Sequence, residues 1–237
     1  EAWNAGHTGS ATVYVGIIDE GYMYSHEDLT ANAGTNPGEF GKNAGVDDDG
    51  NGLIDDIYGW DFAGNNNTVF DGVADDHGTH VAGILGGRTY GVAKNVNIFP
   101  LKVFDCNGSS TISGILAAMD WIITNGKLPG VVNMSLGISG SHSIDHGAAA
   151  VHNAGFVVVA SAGNFSGNAC EQSPARVSSV ITVGSSDITG VKSYYSNYGV
   201  CVDLFAPGEE IYTTSTGNSY MSDSGTSLAG PMVSGTA

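Results

Sequence analysis

Short apolar runs rich in β-branched residues alternate along this chain with longer amphipathic stretches. The runs have the length of strands, and several are apolar on both faces, as in a sheet covered on both sides: TVYVGII (12–18), VNIFPLKVF (96–104), VVNMSL (131–136), FVVVAS (156–161), VITVGS (180–185) and CVDLFAP (201–207). The amphipathic stretches predict helices at about 77–86, 110–125 and 143–154. This alternation favours an α/β fold with a mostly parallel sheet, whose functional site lies at the carboxyl ends of the strands.

Composition and charge exclude several classes of protein. Hydrophobic residues make up 41% of the 237 positions, which suits a globular core and not a disordered chain. No run approaches the roughly 18–20 uncharged apolar residues of a membrane-spanning helix. Seven Lys and Arg against 24 Asp and Glu give a net charge of −17, which argues against phosphate-backbone binding. We therefore expect neither nucleic acid nor a membrane as a partner.

One segment departs from the alternation. Residues 30–76 have the composition of a loop and hold nine Asp between positions 47 and 76, with no Lys or Arg in that window. This segment is predicted to be an acidic insertion between the first strand and the helix near residue 77. Because no linker or internal repeat interrupts the chain, residues 1–237 are predicted to form a single domain.

Three reactive side chains lie at the boundaries of predicted elements. Asp19 ends the strand VGII, His77 opens HGTHVAGIL at a helix start, and Ser227 lies in GTSLAGPM, a turn that leads into another helix. A serine hydroxyl is a weak nucleophile until an imidazole takes its proton, and the imidazole needs a carboxylate to fix its tautomer. At separate strand ends of one sheet, these three residues could form that relay.

These motifs, in this order, resemble those of subtilisin-like serine peptidases, and the stretch from about residue 96 to 237 is most similar to the proteinase K and aqualysin branch. FDCNGSS, VNMSLG, ASAGN, SPARV and SNYGVCVDLFAPG extend the resemblance over essentially the whole chain, with residues 30–76 least similar. The resemblance implies a three-layer subtilase fold with helices on both faces of the sheet. It also implies a secreted, monomeric endopeptidase that hydrolyses protein or peptide substrates through an acyl-enzyme and is made with an N-terminal propeptide. By the same comparison, the catalytic domain is expected to be truncated at both ends.

The resemblance assigns roles to individual positions. Asp19 would orient the histidine, His77 would be the general base, Ser227 the nucleophile and Asn164 the side-chain donor of an oxyanion hole. His80 would be a structural companion. The resemblance also places three segments around an extended substrate, which are Gly108, Ser109 and Ser110 on one side, Ser135, Leu136 and Gly137 on the other, and Ser161, Ala162 and Gly163 in the first specificity pocket.

The stretch GVDDDGNGLIDD resembles the first half of a calcium-binding loop. Oxygen donors alternate, a glycine follows at the sixth position, and Tyr58 stands where the usual bidentate glutamate would be. Structural calcium is therefore expected, and a solvated acidic loop without an ion is the alternative. Zinc is not expected, because the histidines lack metal-binding spacing and the chain has no HExxH motif. No organic cofactor is expected. The predicted calcium ligands are Asp47, Asp49, Asn51, Leu53, Asp55 and Asp56.

The three cysteines fit an exported protein. Cys170 and Cys201 match a pair that is bridged in the aqualysin-like branch, and free thiols in a reducing compartment are the alternative. Cys106 matches another bridged cysteine, but Ala74 stands at its partner's position. Cys106 is therefore predicted to be free and buried.

Two other functional classes remain open at this point. The first is a truncated or inactive subtilase domain that serves as a calcium-stabilised peptide-binding module. The second is an esterase of the α/β-hydrolase type. This class is disfavoured because the chain has no GxSxG motif and because its catalytic triad would run in the order Asp19, His77, Ser227, whereas in those esterases the serine comes first.

Overall fold

The protein is described by a computed structural model that covers residues 2–71 and 76–237. Within these residues the strands are β1 (Tyr14–Asp19), β2 (Trp60–Asp61), β3 (Asn97–Lys102), β4 (Gly130–Met134), β5 (Ile138–Ser139), β6 (Val157–Ser161), β7 (Gln172–Ser173), β8 (Ile181–Ser186), β9 (Leu204–Pro207), β10 (Ile211–Ser215) and β11 (Ser219–Asp223). Seven of these described strands form one parallel sheet in the order β2-β3-β1-β4-β6-β8-β9. Two antiparallel pairs, β5 with β7 and β10 with β11, lie outside it.

The helices follow from local signals. The described part of the chain has α1 (His77–Gly86), α2 (Ile112–Asn125), α3 (His142–Asn153) and α4 (Thr226–Ser234), and short 3-10 turns at Trp3–Ala5, Thr30–Asn32 and Ala169–Glu171. Helix α2 begins after Thr111, whose hydroxyl accepts the N–H of Gly114 at 3.0 Å. No described helix has both the length and the apolar character needed to cross a membrane.

The sheet buries both of its faces. Consecutive strand residues point to opposite sides, so Ile18 packs against α2 and α3, while Ile17 packs against α1 and α4. Val132 and Val131 of the neighbouring strand divide in the same way. The predicted parallel sheet with helices on both faces is therefore confirmed, and double burial explains why inner strands such as β1 and β6 are largely apolar on both faces.

Some elements were not predicted. The acidic segment contains β2, which forms an edge strand beside β3, and the hairpin of β10 and β11 was missed because its strands are rich in Ser, Thr and Tyr. The expectation that the three reactive residues lie at separate strand ends of one sheet is wrong in part. Asp19 ends β1, whereas His77 and Ser227 lie in the first turns of α1 and α4.

The cysteines show one agreement and one correction. Cys170 and Cys201 form a disulfide with Cα atoms 5.3 Å apart, closing a separation of 31 residues. A loop of this length is worth about 3–4 kcal/mol in the chain-entropy model. Cys106 is a free thiol, as predicted, but it is exposed and not buried, because it lies in the surface turn that follows β3. The position of Ala74 lies outside the described residues.

Helix α1 packs closely against β10 because Gly83 has no side chain. A Cβ at this position would overlap Thr214 Oγ1 and lie 2.6 Å from Thr213 Oγ1. These contacts fix the depth at which the helix that carries His77 sits on the hairpin.

We predict that Gly83→Ala lowers the free energy of unfolding by roughly 2–3 kcal/mol, because two buried hydroxyls must move to admit the methyl group. Chemical denaturation at constant pH measures the change. Gly167→Ala is the matched control, since a Cβ there has its nearest neighbour at 3.7 Å. Equal stability of the two variants would contradict the packing argument.

Candidate active site

The carboxyl ends of β1, β4 and β6 lie side by side, since these strands are neighbours in the parallel sheet. Asp19 ends β1, Ser135 follows β4 directly, and Ser161 ends β6 three residues before Asn164. Segments that the sequence singled out for chemistry therefore meet at one edge of the sheet, as expected for this kind of fold.

Asp19 and His77 form the central contact of this edge. Nδ1 of His77 lies 2.8 Å from Oδ1 of Asp19, which also accepts the N–H of Glu20 at 2.8 Å. Asp19 is 1% exposed. A carboxylate can only accept hydrogen bonds, so Nδ1 is the donor, and in the uncharged tautomer Nε2 is then the basic nitrogen.

The approach of α1 to β1 requires Gly78. A Cβ at this position would overlap the carbonyl oxygen of Gly21 and lie 3.3 Å from Oδ1 of Asp19. The glycine that follows His77 in the motif therefore lets the helix start reach the strand end.

Asn164 is oriented by the residue that precedes Ser227. The N–H and the hydroxyl of Thr226 both donate to Oδ1 of Asn164, at 2.9 and 2.8 Å. This arrangement turns the amide NH₂ group away from Thr226. The Cβ position of Gly225 would lie 3.4 Å from Nδ2 of Asn164 and 3.6 Å from the Ser227 nitrogen, so the two donors border one space. As a first-turn residue of α4, Ser227 has no intrahelical acceptor for its N–H.

Pro231 affects Ser227 from one helical turn away. Because proline has no N–H, it leaves the carbonyl of Ser227 without its normal i+4 partner. The hydroxyl of Ser135 fills this place by donating to that carbonyl at 2.8 Å, and Oγ of Ser227 lies 3.4 Å from the Ser135 carbonyl oxygen. These two contacts between Ser135 and Ser227 join the end of β4 to the start of α4. Because Pro231 follows Ser227 by four residues, the sequence already indicated that the Ser227 carbonyl would lack its helical partner, and this signal was missed.

The three predicted substrate segments differ in local structure. Ser135, Leu136 and Gly137 lie between β4 and β5, whereas Gly108 and Ser109 belong to a turn in which Asp105 accepts the N–H of Ser109 at 3.0 Å. Ser110 closes this turn by a single bridge to Phe104. The last segment, at the end of β6, consists of Ser161, Ala162 and Gly163 and is anchored by Asn197, which donates to the Ala162 carbonyl at 2.8 Å.

His80, three residues after His77, is buried near the end of β11. It is 1% exposed, and its Nδ1 lies 3.6 Å from Oδ2 of Asp223 at the end of β11. This position agrees with a structural role.

The acidic loop brings two of the predicted ligands, Asp49 and Asp56, together with a residue that was not predicted, Glu39. Carboxylate oxygens of Glu39, Asp49 and Asp56 all lie within 4.8 Å of one another. Glu39, which sequence analysis missed, is buried and accepts the N–H groups of Asp48 and Asp49 at 2.7 and 3.1 Å. It has no acidic neighbours in the sequence, so spacing gave no signal for it.

The remaining predicted ligands have other contacts. Asp47 accepts the N–H groups of Gly50 and Gly52 in its own turn, at 2.7 and 2.9 Å. Asp55 accepts the N–H of Gly45 at 2.7 Å. Asn51 donates its amide to Asp56 at 3.0 Å and accepts the N–H of Leu53 at 2.8 Å.

Burial raises the pKa of the Asp56 carboxyl, and the nearby charges of Asp49 and Glu39 raise it further. Hydrogen bonds from the amides of Asn36 and Asn51 oppose this rise only in part. Three oxygen donors held close at an electrostatic cost are a chemically suitable set for a hard cation such as Ca²⁺.

Comparisons with known proteins identify the family of this chain. The Subtilase family model matches residues 10–237. A cold adapted subtilisin-like serine proteinase of known crystal structure is similar with a TM-score of 0.82 and 38% identity, over 95% of this chain and 73% of that one. The chain belongs to the subtilase family.

Curated relatives are similar over most of this chain. The extracellular serine proteinase of Thermus sp. (strain Rt41A) is 42% identical over 231 residues, which cover 96% of this chain and 50% of that protein. Alkaline serine exoprotease A of Vibrio alginolyticus is 44% identical over 76% of this chain and 34% of its own length. Proteinase T of Parengyodontium album is 38% identical over 92% of this chain and 68% of its own length. The chain thus spans half the length of the Thermus proteinase.

We predict that Thr226→Val lowers the free energy of unfolding by about 1–3 kcal/mol. The hydroxyl of Thr226 also accepts the N–H of Gly163 at 3.1 Å, so valine leaves that N–H without its partner and leaves Oδ1 of Asn164 with only the backbone N–H of Thr226. Thr124→Val is the control, because that hydroxyl is exposed and donates to a helix carbonyl. The prediction fails if urea denaturation gives the same loss for both variants.

Proposed function

We propose that this chain is the catalytic part of a secreted serine endopeptidase that hydrolyses peptide bonds in proteins. The observation that carries the proposal is the 2.8 Å contact between Asp19 and His77, at the sheet edge where Asn164 and Ser227 also lie. The relatives named as an extracellular serine proteinase and an exoprotease support secretion and proteolysis. A propeptide that assists folding is part of the proposal by analogy with the family.

The proposed reaction follows from the atoms at this edge. Oγ of Ser227 attacks the scissile carbonyl carbon while Nε2 of His77 takes the hydroxyl proton, and Asp19 stabilises the resulting imidazolium. Nδ2 of Asn164 and the N–H of Ser227 donate to the developing oxyanion. His77 then gives the proton to the leaving amine. Water repeats the sequence on the acyl-enzyme and releases the carboxylic acid.

The substrate would lie extended across this edge. Backbone hydrogen bonds to the segment Ser135, Leu136 and Gly137 on one side and to the turn at Gly108, Ser109 and Ser110 on the other would hold it by strand addition. The residue before the cleaved bond would enter the pocket formed by Ser161, Ala162 and Gly163. Small residues there leave room for a sizeable side chain.

We predict that a fluorophosphonate probe labels the protein once, on Ser227, and that Ser227→Ala abolishes labelling and lowers kcat by at least about 10⁴-fold. Asn164→Ala is expected to lower kcat by about 10²–10³-fold, because it removes one oxyanion donor. Intact mass, peptide mapping and peptide hydrolysis measure these effects. Asn125→Ala is the control, since its amide donates to the Trp121 carbonyl within α2.

Turnover by Ser227→Ala within tenfold of the parent would refute the assignment. A parent protein that binds peptides but is neither labelled nor active would favour the peptide-binding module instead.

We also propose that Glu39, Asp49 and Asp56 hold a structural calcium ion. Support comes from their mutual distances and from the raised pKa of Asp56. Calcium would supply the positive charge that the amides of Asn36 and Asn51 supply only in part. The ion would fix the acidic segment to the sheet and take no part in the chemical steps.

We predict that chelation of calcium lowers the Tm by about 5–10 °C and that added calcium restores it by mass action. In Glu39→Gln the Tm should no longer respond to either treatment, because the variant keeps the hydrogen-bond acceptor and loses the charge. Differential scanning calorimetry measures the change.

Asp47→Asn separates the two possible ligand sets. Its carboxylate caps the backbone of its own turn, so this variant should keep the calcium response. Loss of the response in Asp47→Asn together with its retention in Glu39→Gln would favour the linear loop ligands. A Tm indifferent to calcium in the parent would leave a solvated acidic loop.

A further inference from the structure

The residue before His77 has an unusual conformation. Asp76 has φ of 56° and ψ of 24°, in the left-handed region that few non-glycine residues occupy, although Asp tolerates it better than most. At the first position before a helix, an Asp side chain normally accepts an N–H of the first turn. Asp76 makes no such bond to α1. Its carboxylate is used elsewhere.

The carboxylate of Asp76 reaches across to the end of β10. The hydroxyl of Ser215 donates to it at 2.6 Å, the N–H of Thr216 at 3.1 Å and the hydroxyl of Thr216 at 2.9 Å. Burial alone would raise the pKa of Asp76, but these hydrogen bonds outweigh it and hold the pKa below its ordinary value. Asp76 is therefore an anion at neutral pH, and hydrogen bonds to anions are stronger than neutral ones.

These bonds complete a series along the first turn of α1. The hydroxyl of Thr213 donates to the His80 carbonyl and that of Thr214 to the Thr79 carbonyl, both at 2.8 Å. Four successive residues, 213–216, thus bind the backbone or side chains of residues 76–80. The series ends on Asp76, whose interaction is the only one of these that involves a carboxylate.

The same hairpin leads to the nucleophile. Its second strand, β11, ends at Asp223, four residues before Ser227, and the N–H of Gly225 donates to the Gly208 carbonyl at 2.8 Å. The hairpin therefore connects the start of α1 to the start of α4. A shift of the first turn of α1 against it would change the separation of His77 and Ser227.

We propose that Asp76 is a positioning residue that holds His77 at its working distance from Ser227 through Ser215 and Thr216. The inference rests on the proposed function and adds to it a residue outside the triad. Misplacement of a catalytic group by about 1 Å can lower the rate by about 10²-fold. Because Asp76 is the neighbour of His77, loss of its hydrogen bonds should lower turnover more than it weakens substrate binding.

Asp76→Asn and Asp76→Gly test the proposal, since both residues accept a positive φ and neither carries the charge. We expect kcat per fluorophosphonate-titrated site to fall by about 10–100-fold, with KM within about threefold of the parent. Titration counts only correctly folded sites. A purely structural role would lower the number of sites or the Tm without changing kcat per site.

Two further variants sharpen the test. Asp187→Asn is the matched control, because Asp187 also accepts an N–H and a hydroxyl from one threonine, Thr189, at 2.8 and 2.7 Å in an exposed turn. Its kcat per site should stay within twofold of the parent. Thr216→Val should lower kcat in the same direction as the Asp76 variants. The double variant with Asp76→Asn should lose no more than the larger single loss.

Retention of kcat per site within twofold in either Asp76 variant would overturn the proposal, because each of them lacks the carboxylate. Additive losses in the double variant would also overturn it. The parent protein separates this result from failure of the proposed function. An active parent with fully active Asp76 variants refutes only the inference, whereas an unlabelled, inactive parent refutes the proposed function and the inference together.

Discussion

The pairing of Asp19 with His77 is the contact on which the rest of this site depends. It joins two residues 58 positions apart, and it buries a carboxylate that would be costly to bury alone. The strand must end with Asp19 at the sheet edge, and Gly78 must let the helix start pass the carbonyl of Gly21. Both conditions come from backbone packing. The orientation of the imidazole is therefore a consequence of how α1 lies on β1.

Small hydroxyl side chains, more than apolar ones, connect the elements around this contact. Ser135 holds the carbonyl that Pro231 leaves unpaired, Thr226 orients Asn164, and the threonines of β10 bind the first turn of α1. Such bonds have fixed directions, whereas apolar contacts allow sliding. A polar network at the carboxyl edge thus fixes geometry that the two apolar cores alone would leave loose.

The strong negative charge of the chain is distributed unevenly. Carboxylates converge at Glu39, Asp49 and Asp56, while several of the few cations are engaged elsewhere, such as Arg176 with Asp145 at 2.6 Å and Lys102 with the Glu20 carbonyl. Between positions 47 and 76, where nine Asp lie, the sequence has no Lys or Arg to balance them. This shortage gives the proposed calcium ion its physical reason.

The alternation of strands and helices could be predicted without a structure, because periodicity is a local property. The motifs that contain Asp19, His77, Asn164 and Ser227 could also be recognised from the chain alone. The resemblance of those motifs to a family also gave the disulfide. The contact partners of these residues, in contrast, depend on how the chain folds in three dimensions. Thr226 meets Asn164 across 62 positions, Thr216 meets Asp76 across 140, and Glu39 joins Asp49 and Asp56 from outside the recognised loop. Hydrogen-bond partners that distant leave no periodic trace in a single sequence, so chain folding alone selects them.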